Sequence, residues 1–305
     1  MPDDFPSVSA VIPIKNAEAY LPALLKSLLE QESVPLVEIL LLDSMSTDRS
    51  VEIAGEFEKT RVIPVPRFSH GGTRNQGIET ASGEWMVLLT QDALPLGRDW
   101  MHRLLTPLQE EKVAYTFSRQ IPYPGTNPME CYYLRDRFPE GEPVRYNSPT
   151  GCIDSPEQVF SSNVSAGLKK PVWADIRFDG DLIMGEDQKF SLDLQKRGYT
   201  VVYIPDSVVM HSHNYNLRQT FRRYFDSVIA ITQIFPDHEL KSSAENGIHH
   251  LKGEFRFLLR HHPFWIPYYF LYLTSKTLAT LLAHKAERLP ARLRGFCSMH
   301  TGYWT

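Results

Sequence analysis

Between Val8 and about Ser118, short apolar runs alternate with segments whose apolar residues recur at helical spacing. Strands alternating with helices at this interval predict an α/β fold with a parallel, doubly wound sheet, because a crossover helix must return the chain to the same edge before each new strand. Val8–Ile14, Leu36–Leu42, Val62–Val65 and Trp85–Leu89 read as strands. Ala17–Gln31, with Leu21, Leu24, Leu25 and Leu28 on one face, reads as a helix, as do Thr47–Glu58 and the segment from Gly72 to Thr80. In such a sheet ligands bind beyond the carboxyl ends of the strands, so residues that follow each apolar run are the first candidates for function. The run Trp85–Leu89 stops at Thr90-Gln91-Asp92. Asp92 is either a metal ligand aimed into that crevice or a turn residue before Pro95.

The 305 residues suffice for a full core, and 42% apolar with 22% charged residues describes a folded chain. Three cysteines, Cys131, Cys152 and Cys297, lack metal-ligand spacing, which argues against a disulfide framework or zinc ribbon and fits a reducing cytoplasm. The acidic start Met1-Pro2-Asp3-Asp4 runs straight into a strand pattern, which argues against a signal peptide. The net charge of −4 is unevenly spread: residues 251–305 hold eight Lys or Arg against two Glu, so a surplus of +6 there leaves −10 on residues 1–250. A basic tail on an acidic body suits an anionic membrane surface rather than nucleic acid.

Residues 120–160 are rich in Pro, Gly, Asn and Tyr and show little periodicity, the pattern of a long functional loop. Asp187–Arg197 then reads as a helix closed by Gly198, and Val201–Ile204 and Val208–Met210 as strands. Beyond His213 the pattern turns helical, over Leu217–Phe235, Leu251–Arg260 and Phe264–Ala283. This divides the chain into a catalytic unit over 1–215 and a helical region over 216–305. Phe264–Ala283 is aromatic but interrupted by Pro267, Ser275 and Lys276, so it reads as an interfacial or packing helix rather than a membrane span.

Four acidic or imidazole positions fall at strand ends or a helix start: Asp43, Asp92, Glu186 with Asp187, and His211 with His213. Singly, each has a plain explanation as a turn, cap or hydrogen-bonded residue, and Asp43 and Asp48 are natural turn and cap residues. Together they resemble the inverting glycosyltransferases of family two, which have the GT-A fold and transfer a sugar from a nucleotide diphosphate. The resemblance begins at Ser9-Ala10-Val11-Ile12-Pro13-Ile14-Lys15-Asn16 and continues through Leu42-Asp43-Ser44-Met45-Ser46-Thr47-Asp48 and His70-Gly71-Gly72-Thr73-Arg74-Asn75-Gln76-Gly77. Thr90-Gln91-Asp92 stands where the family has its Asp-x-Asp metal motif, and Gly185-Glu186-Asp187 matches its Glu-Asp motif. Gly72-Thr73-Arg74-Asn75, Thr90-Gln91-Asp92-Ala93, Ser118-Arg119-Gln120, His211-Ser212-His213-Asn214-Tyr215 and the final Ser298-Met299-His300-Thr301-Gly302-Tyr303-Trp304 resemble the bacterial rhamnosyltransferase branch.

The resemblance implies a dTDP-L-rhamnose donor, a saccharide or lipid-linked saccharide acceptor, and a divalent cation, Mn²⁺ or Mg²⁺. Thr90 departs from the family pattern, offering a hydroxyl to a ribose but no charge to a cation, so metal binding leans on Asp92, His211 and the donor diphosphate. Asp187 is the expected general base, with Glu186 binding an acceptor hydroxyl or orienting the loop. Pro13, Asp43 and Arg74 are expected on the nucleotide with Asp92, and Arg119, Asn163 and Trp173 on the acceptor, with Trp173 equally readable as a core residue. Arg222 and Arg223 are either diphosphate clamps or a solvated helix face.

Two other enzyme classes fail at Pro13-Ile14-Lys15-Asn16-Ala17, which lacks the glycines of a nucleotidyltransferase phosphate loop or a dinucleotide-binding turn. A donor that is a UDP-hexose, or a non-catalytic nucleotide-sugar-binding subunit of a polysaccharide assembly docked through the basic helices, are the rival functions. Nothing in the string separates sugars, since hexose choice depends on pocket shape.

Overall fold

The computed structural model describes residues 5–148, 152–236 and 240–304; the acidic start at Met1–Asp4 lies outside them. The alternating pattern becomes strands β1 (Val8–Ile14), β2 (Leu36–Asp43), β3 (Thr60–Pro64) and β4 (Trp85–Leu89), connected through α1 (Leu21–Leu29), α2 (Ser50–Ala54) and α3 (His70–Thr80). A short β5 (Leu94–Pro95), α4 (Trp100–Leu105) and β6 (Val113–Ile121) follow. Then come α5 (Pro128–Arg137), β7 (Val144–Tyr146), β8 (Ser165–Lys169), α6 (Lys170–Ile176), α7 (Glu186–Lys196) and β9 (Thr200–Met210). Four helices complete the described chain: α8 (Leu217–Ile234), α9 (Leu240–His261), α10 (Ile266–Ala283) and α11 (Ala291–Cys297).

One nine-stranded sheet has the order β3-β2-β1-β4-β8-β6-β9-β5, with β7 also paired to β9. The pairings β1–β2, β1–β4, β2–β3 and β6–β9 are parallel, while β8 runs antiparallel to both β4 and β6. Six strands therefore share one direction, and their carboxyl ends share one edge. Leu21, Leu24, Leu25 and Leu28 of α1 pack with Trp100 on one face of the sheet; Tyr115, Phe117, Trp173 and Phe190 fill the other. Each such side chain, fully buried, contributes roughly 1.5–3 kcal/mol of transfer free energy. Gly77 lets α3 lie directly on the sheet, since a Cβ there would stand 2.5 Å from Val11 Cγ1 and 2.7 Å from Leu42 Cδ1.

Three expectations change. The irregular 120–160 segment contains α5, started by Asn127, whose side chain accepts the Glu130 N–H, and by Pro128 in the first turn. The strands expected over 201–204 and 208–210 are one strand, β9, whose ladder with β6 is interrupted where Ser118↔Ile204 gives way to Arg119↔Val208. The helix expected over 47–58 is the five-residue α2, because the residues before it lace together two loops at the sheet edge. Asn16 and Ser46, Ala17 and Ser50, and Glu18 and Asp48 are joined there by hydrogen bonds of 2.7–3.1 Å.

Candidate active site

Asp92 lies two residues before β5, and β5 pairs antiparallel with the end of β9, Leu94 opposite Met210. Continuing that register sets Asp92 across from Ser212, between His211 and His213. The side chains meet accordingly: Asp92 Oδ1 is 3.7 Å from His211 Nε2 and Oδ2 is 3.8 Å from His213 Nδ1. Gln91 fixes the turn from behind, accepting the Lys15 N–H at 2.7 Å and donating to the Lys15 carbonyl at 3.2 Å. Tyr123, whose hydroxyl donates to the Asp92 carbonyl, borders a hollow with Tyr20, Ala23 and Asp92.

Burial drives the His211 imidazole down to about 4 and lowers His213 as well, so at neutral pH both rings are neutral. His211 Nδ1 lies 2.9 Å from Gln120 Oε1, an acceptor, so the proton sits on Nδ1 and the Nε2 lone pair faces Asp92. One ligand atom from each of Asp92, His211 and His213 lies within 4.8 Å of the others. A carboxylate, neutral imidazole nitrogens and a buried amide that orients one ring form a donor set that fits Mn²⁺ or Mg²⁺, with imidazole favouring Mn²⁺. Beside it the Thr90 hydroxyl is buried without a partner, a polar atom that a bound ligand would satisfy.

Gly185, at φ +81°, turns the chain into α7 and presents Glu186 and Asp187 in its first turn. Glu186 is buried; it pairs with Arg74 Nη1 at 3.0 Å and accepts from Asn163 Nδ2 at 3.0 Å. The Arg74 cation holds it ionised against its burial. Asp187 is half-buried, accepting the Asn163 N–H at 3.2 Å, and burial together with the Glu186 charge pushes its carboxyl up to about 7.

Three consecutive residues join these two groups. Ser162 Oγ accepts from Gln120, the partner of His211; the Asn163 N–H meets Asp187; the Val164 carbonyl accepts the Thr90 N–H at 3.1 Å. A third group closes the arrangement from the helical region. Arg223 of α8 makes no ion pair among the described residues, and its charge acts on His211 and His213 on one side and on His70 and His300 on the other. His300 Nε2 lies 3.4 Å from His70 Nε2, and the Asp226 carboxylate holds this C-terminal segment by accepting the Met299 N–H at 2.8 Å.

Against this geometry the chain matches the glycosyl transferase family 2 model over residues 9–165. The chain belongs to glycosyl transferase family 2. Among its relatives, the O-antigen chain rhamnosyltransferase RfbN of Salmonella typhimurium is 28% identical over 97% of this chain and 96% of that protein. WbaN of Salmonella anatum, also an O-antigen chain rhamnosyltransferase, is 29% identical over 88% and 86%. The mannosyltransferase PcManGT of Pyrobaculum calidifontis, solved with GDP-Man and Mn²⁺, superposes with a TM-score of 0.59 at 18% identity, covering 96% of this chain and 79% of its own. This glycosyltransferase thus has the GT-A fold, with a helical C-terminal region.

Several expected site residues of the family 2 chain stand elsewhere than expected. Trp173 is buried with its Nε1–H on Asn75 Oδ1 at 3.0 Å, leaving no face for a sugar. Asn163 spends its side chain on the Tyr115 hydroxyl and Glu186, so it positions carboxylates instead of meeting an acceptor. Arg119 pairs with Glu140 on the face of β6 opposite Gln120, which alone of the two reaches the His211 cluster. Arg74 and Glu186 neutralise each other in the interior, beside Asp187. Arg222 donates to the Phe296 carbonyl and packs on its ring, a structural role. Pro13 and Asp43 do lie together, at the carboxyl ends of β1 and β2 where Ile14 pairs with Asp43, and the Asp43 carboxylate accepts the Ser46 N–H. Gln120 and His300 were readable only as parts of longer motifs; strand alternation in β6 singles out Gln120, whereas nothing local singles out His300.

Proposed function

We propose that this family 2 enzyme is an inverting rhamnosyltransferase that moves L-rhamnose from dTDP-L-rhamnose to a hydroxyl of a growing, lipid-linked surface glycan at the cytoplasmic face of the membrane. The observation that carries the reading is the Ser162–Val164 segment, which ties the Asp92, His211 and His213 cluster to Asp187 within one edge of the sheet. The two Salmonella relatives named as O-antigen chain rhamnosyltransferases support the sugar and acceptor class.

Asp92 and His211, joined by His213, would hold a divalent cation, which when bound stabilises the charge that grows on the leaving diphosphate. Asp187 takes the proton of the acceptor hydroxyl as that oxygen bonds to the anomeric carbon; the bond from this carbon to the diphosphate oxygen breaks on the opposite face, inverting the configuration. A carboxyl poised near 7 suits a base working at neutral pH, and a positioned base contributes roughly 10² to 10⁴-fold. Arg223, a cation without a carboxylate partner among the described residues, faces the departing diphosphate, and Thr90 offers its hydroxyl to the ribose. Asp43 accepts the ring N–H of thymine beside Pro13.

Release of dTDP from dTDP-L-rhamnose with Mn²⁺ tests the reading. Activity lost in Asp92→Ala and reduced about 10² to 10⁴-fold in Asp187→Asn, with donor binding retained in the latter, is the expected result. Stabilisation by UDP or GDP and not by dTDP would overturn the donor; full turnover in Asp187→Asn would overturn the base.

A further inference from the structure

The helix α10 turns the usual distribution of residues inside out. Its single charged side chain, Lys276, points inward, its ammonium 4.4 Å from the Tyr224 ring centroid and 4.9 Å from that of Tyr272. Its outer face carries Phe270, Leu271, Leu278 and Leu281, each more than half exposed, and the turn leading into it leaves Phe264 96% exposed. Positions 270, 271, 274, 278 and 281 recur at helical spacing, so the four large apolar side chains share one face, with Thr274 and Thr277 between them, rather than being scattered. No helix among the described residues is long and apolar enough to cross a membrane.

The surroundings of the stripe are cationic. Arg135 of α5 and Arg256 and Arg260 of α9 line one hollow, floored by Tyr132 and Phe257, at the end of α9 that runs into Phe264. None of the three guanidiniums makes an ion pair among the described residues. The acid of that hollow, Asp136, is already engaged by His250 at 2.8 Å. At the other end of α10, Lys285, Arg288 and Arg292 are exposed. An apolar stripe bounded by unpaired cations matches one occupant, an anionic bilayer: the stripe enters the acyl boundary and the arginines take lipid phosphates.

We propose that α10 and the Arg135, Arg256 and Arg260 hollow dock this enzyme on an anionic phospholipid surface. The inner face of α10 packs on α8, which carries Arg223 at the cleft, so docking sets the active site one helix from the lipid. The inference deepens the lipid-linked acceptor reading, on which its purpose rests, while its test does not depend on transfer.

Full-length protein is sedimented with vesicles of phosphatidylcholine alone or mixed with phosphatidylglycerol. Wild type should pellet with the mixed vesicles, less so as salt rises. The double variant Phe270→Ser, Leu278→Ser should lose pelleting on both compositions. Arg256→Glu with Arg260→Glu should lose the preference for phosphatidylglycerol, by at least roughly 25-fold if each cation is worth roughly fivefold. Both variants should keep the wild-type melting temperature and dTDP release. Overturning results are no pelleting of wild type, unchanged pelleting of the stripe variant, or a wild-type dimer that the stripe variant converts to monomer, which would assign the stripe to a second copy. Vesicle binding without any dTDP release would retain the docking surface and remove the transferase reading alone.

Discussion

A carboxyl held near neutrality by burial and by an ionised neighbour has two consequences that can be separated. As a base, Asp187 must be ionised, so kcat/KM should rise with pH through about 7. Glu186→Gln removes the charge that raises Asp187 and leaves the Arg74 cation, which lowers it. Both changes act in one direction, so the acid limb of the profile should move to lower pH; a limb that stays or moves up would show that another group controls it. The same variant strands Arg74 in the interior and should cost about 3–5 kcal/mol of stability. As a structural element, Asp187 has a folded pKa above its unfolded one. Its ionisation therefore costs stability above pH 7, progressively less as pH falls, and nothing below about 4. Asp187→Asn should then raise the melting temperature at pH 8 by more than at pH 5 while lowering turnover about 10² to 10⁴-fold, and a lower melting temperature at pH 8 would refute the assignment. The places of Asp92, Asp187 and His211 just after a strand, in a helix's first turn and just after a strand were legible because strand ends and helix starts can be read locally. Trp173 and Asn163 were not, because what a Trp or Asn does depends on whether a partner such as Asn75 or Glu186 arrives from elsewhere in the chain.

At the scale of elements, the alternating pattern of the first hundred residues reads as a parallel sheet because β1, β4 and most of β2 are buried on both faces, while β3 is a half-exposed edge strand. The helix α5 escaped that reading because it presents no single apolar stripe: Met129 and Leu134 are buried, yet Tyr132 and Tyr133 serve other neighbours. Its Asn127-Pro128 start was nonetheless a readable signal. The C-terminal segment was harder, since its role is a long-range contact. His300 gives the half-buried His70 ring a partner, and the His70 carbonyl accepts from Arg74, the partner of Glu186. His300→Ala should leave His70 without that partner, costing about 0.5–1.5 kcal/mol, and should lower turnover by loosening the Arg74–Glu186 pair. His300→Gln, which can still hydrogen-bond His70, should restore both stability and the wild-type pH profile. Loss of stability alone, with an unaltered profile and turnover, would confine the segment to packing.

Across the whole molecule, the proposed site is assembled from both ends of the chain: Asp92 from the turn after β4, His211 and His213 after β9, Arg223 from α8 and His300 from the loop after α11. With one carboxylate among Asp92, His211 and His213, and Thr90 where the family has a second acid, the proposed cluster should by itself bind a divalent ion weakly. A nucleotide diphosphate would supply the missing oxygens and charge. Cation and nucleotide should therefore bind cooperatively, and linkage requires each to raise the affinity of the other by the same factor. Mn²⁺ alone and dTDP alone should each shift the melting temperature little, whereas together, at about 100 times the joint dissociation constant, they should add about 2.7 kcal/mol. His211→Ala should abolish the joint shift and leave the nucleotide-only shift in place, because Asp43 and Pro13 lie at the ends of other strands. Equal shifts for dTDP with and without Mn²⁺ in the wild type would mean that Asp92, His211 and His213 meet for a reason other than a cation.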